Sequence, residues 1–323
     1  MTGPPNTAAI AIGRNEGARL TACLASLKDK VDRIVYVDSG STDGSQEAAR
    51  AMGATVLELD LSTPFTAARA RNAGLEALGA ATPETSPEFV QFIDGDCVLR
   101  DDWISKAQSF LAAHPDVAVV CGRRRERHPE ASVYNRLADD EWDTPVGAAK
   151  SCGGDAMMRL QAVVDVNGYN PGLIAGEEPE LCVRLRAAGW KIWRIDAEMT
   201  LHDAALTRFG QWWQRARRGG FAYAQGAALH GAPPERHCVR ELRHILVWGL
   251  ILPVVILAGL FVSPWSLALA LLWPAQILRR LMRGDTPRAA VFITLAKFPE
   301  AAGVLTYVWR RLSGAEDRLI EYK

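Results

Sequence analysis

The chain has 323 residues, with 37 Lys plus Arg against 37 Asp plus Glu, so its formal net charge is zero. That balance excludes a dedicated nucleic-acid binder, which carries a basic excess, and 49% hydrophobic with 23% charged residues excludes wholesale disorder. The length allows one large domain with an appendage, or two modest ones.

Ala8–Ile12 is a short apolar run that predicts a first strand, and Glu16–Leu27 follows as an amphipathic helix with Leu20, Leu24 and Leu27 on one face. Arg33–Val37 is strand-like and ends at Asp38. Ser45–Met52 reads as a helix stopped by Gly53, and Thr55–Leu59 as a strand. Ala67–Leu78 is Ala-rich and helical. Phe89–Ile93 predicts another strand, Asp101–His114 a helix halted at Pro115, and Val117–Cys121 the next strand. Beyond it, Arg123-Arg124-Arg125-Glu126-Arg127 reads as a solvated charged face. This alternation predicts an α/β fold, a mostly parallel sheet with helices on both faces.

After Thr200 the alternation gives way to a Trp- and Arg-rich helical stretch, Phe209–Ala228, and a Pro233-Pro234 break. From Ile245 to Leu278 there is no Asp, Glu, Lys or Arg. Ile245–Val262 approaches the roughly 20 residues that cross a bilayer, and a shorter run, Trp265–Leu278, follows Ser263-Pro264. Arg240 and Arg243 precede the pair, while Arg279, Arg280 and Arg283 follow it, which suits a hairpin over 245–278 with both ends cytoplasmic. Ala289–Trp309, interrupted by Lys297, Pro299 and Glu300, reads as an interfacial amphipathic helix. The expected division is an α/β domain over residues 1–230 and a helical, membrane-associated region over 231–323.

Six cysteines, Cys23, Cys97, Cys121, Cys152, Cys182 and Cys238, form no C-x-x-C pair and no zinc-spaced cluster, so reduced, buried thiols are expected. Met1–Thr7 lacks a basic region leading into an apolar stretch, and no secretory signal is expected.

In open α/β sheets ligands bind outside the carboxyl ends of the strands. Three predicted strands end in Asp38-Ser39-Gly40-Ser41, Asp94-Gly95-Asp96 and Gly122, which points to one cleft. Two carboxylates one Gly apart at a strand end suit Mg²⁺ or Mn²⁺, which take hard oxygen ligands together with substrate phosphates; the same residues also suit capping of the next helix. The loop Asp38–Ser45 allows close approach of a nucleotide, with Asp38 placed to accept from base or ribose; it is also a good turn and N-cap sequence. Arg14-Asn15-Glu16 occupies the corresponding place after the first strand. Arg71-Asn72-Ala73-Gly74 supplies an arginine able to pair with base or phosphate.

These segments resemble the family 2 glycosyltransferases with the nucleotide-sugar-binding GT-A fold. The resemblance runs through Asn15-Glu16, Val37–Asp43, Ala70–Gly74, Asp94-Gly95-Asp96 and Gly176-Glu177-Glu178-Pro179-Glu180-Leu181-Cys182-Val183-Arg184, in order, over about residues 8–225. Two departures are Ser39, where relatives often have Asp, and Glu178, where they have Asp. The resemblance implies an inverting, hexosyltransferase-type enzyme that uses a nucleotide-diphosphate sugar, UDP-type favoured, and a divalent metal, Mn or Mg. It implies Glu178 as the catalytic base, with Asp96 and His202 as metal ligands; a lone His is also commonly a structural residue. Ile12, Asn15, Glu16, Asp38, Ser39, Arg71, Asp94 and Gly95 would line the nucleotide sugar. Gly153, Gly154, Asp155, Glu177, Trp212 and Trp213 would meet donor or acceptor sugar, and Arg215 and Arg218 the pyrophosphate. With the apolar tract, it implies membrane lipid and a polyprenyl-linked saccharide acceptor as partners, at the cytoplasmic face of the inner (plasma) membrane. Two alternatives are a sugar-nucleotide nucleotidyltransferase and a non-catalytic membrane scaffold. The first normally has a Gly- and Lys/Arg-rich N-terminal loop, which Ala11–Glu16 is not; retained Asp94, Asp96 and Glu178 oppose the second.

Overall fold

The computed structural model describes residues 6–79, 86–315 and 319–321. Met1–Pro5, part of the Met1–Thr7 segment expected to carry no secretory signal, lie outside the described residues. The chain forms two compact units, Met1–Glu130 with Ala138–Ala205, and Ala131–Leu137 with Leu206–Lys323.

The first unit is a mixed sheet. Its strands are β1 (Thr7–Gly13), β2 (Arg33–Asp38), β3 (Thr55–Glu58), β4 (Phe89–Asp94), β5 (Cys97–Leu99), β6 (Val117–Glu126), β7 (Gly147–Ala149), β8 (Ala156–Arg159) and β9 (Lys191–His202). They are ordered β3-β2-β1-β4-β8-β6-β9-β5, with β7 pairing β9. β3, β2, β1 and β4 run parallel, as the alternating pattern requires, while β8 enters antiparallel between β4 and β6. β1 reads T-A-A-I-A-I-G and is buried almost throughout, because a central strand covered on both faces has no solvent side. Packing a residue such as Ile10 or Phe92 away from water contributes about 1.5–3 kcal/mol each.

One expectation is corrected here. β6 does not stop at Cys121 but continues through the arginine run to Glu126. The partners of those arginines are distant in sequence: Arg123 reaches Asp143 at 3.2 Å, and Arg125 reaches Asp139 at 3.1 Å and Glu198 at 2.9 Å. The run is an ion-paired strand end and not a solvated face. β6 and β9 shift register between Cys121 and Arg124, and such bulges re-aim side chains next to sites. Gly122 lets the strands approach there, since a Cβ would lie 2.6 Å from the Ala197 carbonyl oxygen and 2.7 Å from the Trp103 ring.

The second unit is helical. Phe209–His230 and Lys297–Ser313 pack closely, with Gly220 against the Glu300 backbone and Gly303 against the Arg217 backbone, so that no side chain separates the two helices. The apolar tract forms a helical hairpin. Its first arm runs over Val239–Gly259, its second is a 3₁₀ turn Pro264–Leu271 followed by helix Leu272–Leu281. The arms are tied by Trp273 Nε1 donating to the Trp248 carbonyl at 3.2 Å and Ser266 Oγ to the Ile256 carbonyl at 3.2 Å. Val239–Gly259 and Pro287–Ser313 are long and apolar enough to cross a bilayer. The segment expected as one interfacial helix is thus a helical run, turned at Ala296, whose second part is packed against Phe209–His230.

Candidate active site

The first unit gathers its acidic motifs at the ends of β4, β8 and β9. β4 closes at Asp94, Gly95 turns the chain, and β5 pairs antiparallel with the end of β9, Cys97 opposite His202. A Cβ on Gly95 would lie 3.1 Å from the Ile12 carbonyl oxygen, which already accepts from Gly95 N at 2.8 Å. The turn brings Asp96 Oδ1 to 3.3 Å from His202 Nε2, both side chains being buried.

Arg71 organises the opposite side. Only 2% exposed, it reaches Asp94 Oδ1, Glu177 Oε1 and Glu178 Oε1, each at 2.9 Å, and lies over the Tyr169 ring at 5.5 Å. Its neighbours in the A-R-N-A-G segment explain the rest of that motif. Asn72 clasps the backbone of Tyr169 in both directions, at 2.7 and 2.8 Å, and Gly74 allows Ile10 to pack where a Cβ would lie 2.6 Å away. Glu177 and Glu178 begin the helix Glu177–Ala187, whose N-terminal dipole favours negative charge, after Gly176 in the left-handed region at φ 80°. Burial pushes the Glu178 carboxyl up to about 7, the Glu177 charge adds to this, and Arg71 opposes it. Desolvation also works to raise Asp94, but Arg71 and Arg124 outweigh it and hold that carboxyl below the usual range.

Asp155 bridges the two sides. Its Oδ1 accepts from Asp94 N at 3.1 Å, and its Oδ2 accepts from Thr200 Oγ1 at 2.6 Å and meets Arg124 Nη2 at 2.9 Å. Gly154 leaves room for the Arg71–Asp94 pair, since a Cβ there would lie 2.6 Å from Arg71 Nη2 and 2.9 Å from Asp94 Oδ2. Gly153 is exposed, and an added Cβ would meet nothing within 4 Å.

The loops after β1 and β2 are tied to each other. Asn15, in the left-handed region at φ 55°, donates its N–H to Ser41 Oγ at 2.9 Å and accepts from Thr42 N at 2.8 Å. Glu16 pairs with Arg19 at 2.7 Å, and Ser39 is buried with its N–H on the Gly13 carbonyl at 3.1 Å. Asp38 is bound into the loop that follows β2. Fully buried, it accepts from Tyr36 Oη at 2.9 Å, Gly40 N at 2.9 Å, Ser41 N at 2.8 Å and Gln46 Nε2 at 2.8 Å. Burial works to raise it, and the hydrogen bonds from Ser41, Gln46 and Tyr36 outweigh that and keep it ionised below the usual range. It therefore anchors the loop that follows it.

Trp212, Trp213, Arg215 and Arg218 all lie on Phe209–His230 in the second unit. Trp212 is only 7% exposed, wedged against Tyr134, Phe209 and Phe292, so it is a packing residue of that unit. Trp213 packs on Phe209 with ring centroids 5.7 Å apart.

Four carboxyls (Asp94, Asp155, Glu177, Glu178) meet two guanidiniums (Arg71, Arg124), and Asp96 meets His202, so the site offers donors of the kind a divalent cation takes. The donors fit one: Asp96 offers a hard oxygen and His202 an imidazole nitrogen, with Cys97 Sγ within the same cluster. His202 Nε2 faces Asp96 and is the nitrogen a shared cation would take, while Nδ1 is buried with no hydrogen-bond partner among the described residues. Burial raises the pKa of the Cys97 thiol well above its ordinary value.

Two residues of this constellation escape the sequence reading. Arg124 pairs with Asp94 and Asp155, and Trp142 lies under it at 5.5 Å. Arg124 has a weak signal, the charged residues prolonging an apolar strand; Trp142 has none.

Comparison with known proteins agrees with this architecture. Residues 10–145 match the family described as Glycosyl transferase family 2. The succinoglycan biosynthesis protein ExoA of Rhizobium meliloti is 26% identical over 230 residues, 66% of this chain and 66% of that protein. The glycosyltransferase AglE of Haloferax volcanii is 24% identical over 92% of this chain and 94% of its own length. The fold is that of the mannosyltransferase PcManGT from Pyrobaculum calidifontis, solved with GDP-Man and Mn²⁺, at a TM-score of 0.61 and 19% identity over 96% of this chain and 89% of that one.

Proposed function

We propose that this chain, whose residues 10–145 match the family described as Glycosyl transferase family 2, is an inverting, metal-dependent hexosyltransferase acting on a lipid-linked saccharide at a membrane surface. The observation that supports this most is the placement of Glu178, partly buried at a helix start with its carboxyl pushed up to about 7 and gripped by Arg71. A carboxyl with that affinity for protons is suited to general-base work near neutral pH.

In the proposed reaction the acceptor hydroxyl oxygen bonds to the anomeric carbon as the bond from that carbon to the diphosphate breaks. The bonding pair leaves on the diphosphate, and the hydroxyl proton passes to Glu178. Attack from the side opposite the leaving group inverts the anomeric centre. Arg71 holds Glu178 and Asp94 in one frame, so base and donor side stay in register. Asp96 and His202 are the residues that would hold a divalent cation, which when bound supplies Lewis-acid stabilisation of the leaving diphosphate. A carboxylate with an imidazole favours Mn²⁺ over Mg²⁺, which keeps to oxygen ligands. The linked loops at Asn15 and Ser41 supply a rigid backbone for the nucleotide, with a UDP-type donor favoured.

The acceptor reading is supported by the hairpin, whose tip exposes Phe261, Val262 and Trp265. Such side chains suit hydrocarbon, and arginines on both flanks suit the cytoplasmic leaflet of the plasma membrane. ExoA is named for succinoglycan biosynthesis, and a polyprenyl-linked saccharide in exopolysaccharide or lipopolysaccharide assembly is the acceptor class we assign.

Calorimetry of UDP- and GDP-sugars with and without Mn²⁺ tests the donor side. Binding to the parent should tighten at least tenfold with Mn²⁺, and Asp96→Ala should abolish that tightening. Unchanged metal dependence in the variant would remove Asp96 from the site.

A further inference from the structure

A metal-binding histidine is usually oriented by a hydrogen bond from its second ring nitrogen to a carboxylate, carbonyl or water. His202 lacks one: Nδ1 is buried without a partner among the described residues, while Nε2 faces Asp96 at 3.3 Å. Its ring is instead met by Trp142, edge to face, with centroids 4.9 Å apart and planes at 73°. The Arg124 guanidinium lies over the Trp142 ring at 5.5 Å, and the same guanidinium meets Asp155 at 2.9 Å and Asp94 at 3.3 Å.

Trp142 is itself held by a built loop. It closes the helix Val133–Glu141 by donating its N–H to the Ala138 carbonyl at 3.1 Å. The next residue, Asp143, is pinned by Arg123 at 3.2 Å and by Arg194 at 3.3 Å, and Thr144 Oγ1 accepts from Arg194 at 2.8 Å. Arg194 is only 3% exposed, and a buried guanidinium is costly unless its partners are fixed. Two arginines on β6 and β9 therefore fix a loop that places one aromatic ring beside the proposed metal ligand.

We propose that Trp142 and Arg124 are a positioning pair for the cation site: the indole takes the place of the missing hydrogen bond to His202, and Arg124 locks that indole to the Asp94–Asp155 carboxylates. The proposal rests on the metal-dependent reading above. Neither residue touches the reacting atoms; both act through His202, Asp94 and Asp155. Removing an outer partner of a metal ligand typically lowers metal affinity about 10–100-fold.

The test is Mn²⁺ binding to the full chain, read from the loss of the free-ion signal in electron paramagnetic resonance, with UDP present and no acceptor. Trp142→Ala should raise the Mn²⁺ Kd about tenfold or more. Trp142→Phe, which keeps an aromatic edge, should stay within about threefold of the parent. Arg124→Lys should also weaken Mn²⁺, because an ammonium cannot both bridge two carboxylates and stack on the indole. Trp142→Leu serves where the Ala variant fails to fold, and thermal unfolding without metal reports folding separately. Parent-like Mn²⁺ affinity in folded Trp142→Ala or Trp142→Leu would overturn the proposal. His202→Ala separates the two ideas. If it weakens Mn²⁺ while the Trp142 variants do not, only the positioning role falls; if it too is silent, the His202 metal reading falls and this proposal with it.

Discussion

In the α/β unit Arg71, Asp155 and Glu177 are 2%, 1% and 4% exposed, whereas in the helical unit Phe261, Val262 and Trp265 are 94%, 89% and 83% exposed. The first unit hides charge and the second displays hydrocarbon, the reverse of the usual arrangement. Buried charge persists because every member is partnered: Arg71 with three carboxylates, Asp155 with Arg124 and Thr200. Displayed hydrocarbon on the scale of a hairpin marks an interaction surface, and our reading makes lipid its solvent. Each unit is thus built for a different surrounding medium, and each can be broken by giving it the wrong one.

The largest effect should come from the hairpin tip. Phe261→Asp combined with Val262→Asp places two carboxylates where the exposed apolar side chains stand. The parent should resist carbonate extraction from membranes, and most of the double variant should move to the soluble fraction. Equal retention of both would detach the tip from the membrane account.

Next is the charge centre. Arg71→Met leaves Asp94, Glu177 and Glu178 facing one another without their shared cation. Removing one partner of a buried ion-paired group typically costs about 3–5 kcal/mol. Urea unfolding monitored by circular dichroism should show a loss of that order. A loss below about 1 kcal/mol would mean that the carboxyls are compensated by other groups.

The smallest effect is a pH-dependent one at Glu178. Its carboxyl goes from an ordinary 4.5 to about 7 on folding, so the folded state binds its proton more tightly than the unfolded one. That contribution to stability is complete below pH 4.5 and is lost as pH rises through about 7. Glu178→Gln, always neutral, should therefore unfold a few degrees above the parent at pH 8 and level with it near pH 4. A difference that grows towards acid would reverse the sign and contradict the shift.

The strands and the acidic motifs were legible because both are local. An apolar run followed by Asp-Gly-Asp places carboxylates at a strand end whatever else the chain does, and Asp94 and Asp96 stand there. Arg71 was legible only as a member of a motif; that it meets Glu177, 106 residues away, came from the fold. The pairing of the arginine run after Cys121 is hidden in the sequence for the same reason. Its charges look solvated until β8 and β9 bring Asp155 and Glu198 beside them. Asp38 shows the converse. An exposed-looking acidic loop residue is buried because the loop that follows it folds back to donate to it. Trp142 has no periodic or motif context, and only the anchoring of Asp143 by Arg123 and Arg194 reveals why an aromatic stands there.

The central claim is that Glu178 takes the acceptor proton, and Glu178→Gln in the full-length chain tests it most directly, with transfer and donor binding measured side by side on the same nucleotide sugar and lipid-linked acceptor. The account predicts that transfer falls by roughly 10²–10⁴-fold while donor affinity in Mn²⁺ stays within a few-fold of the parent. Transfer at near the parent rate would contradict it, and the base would have to be sought elsewhere.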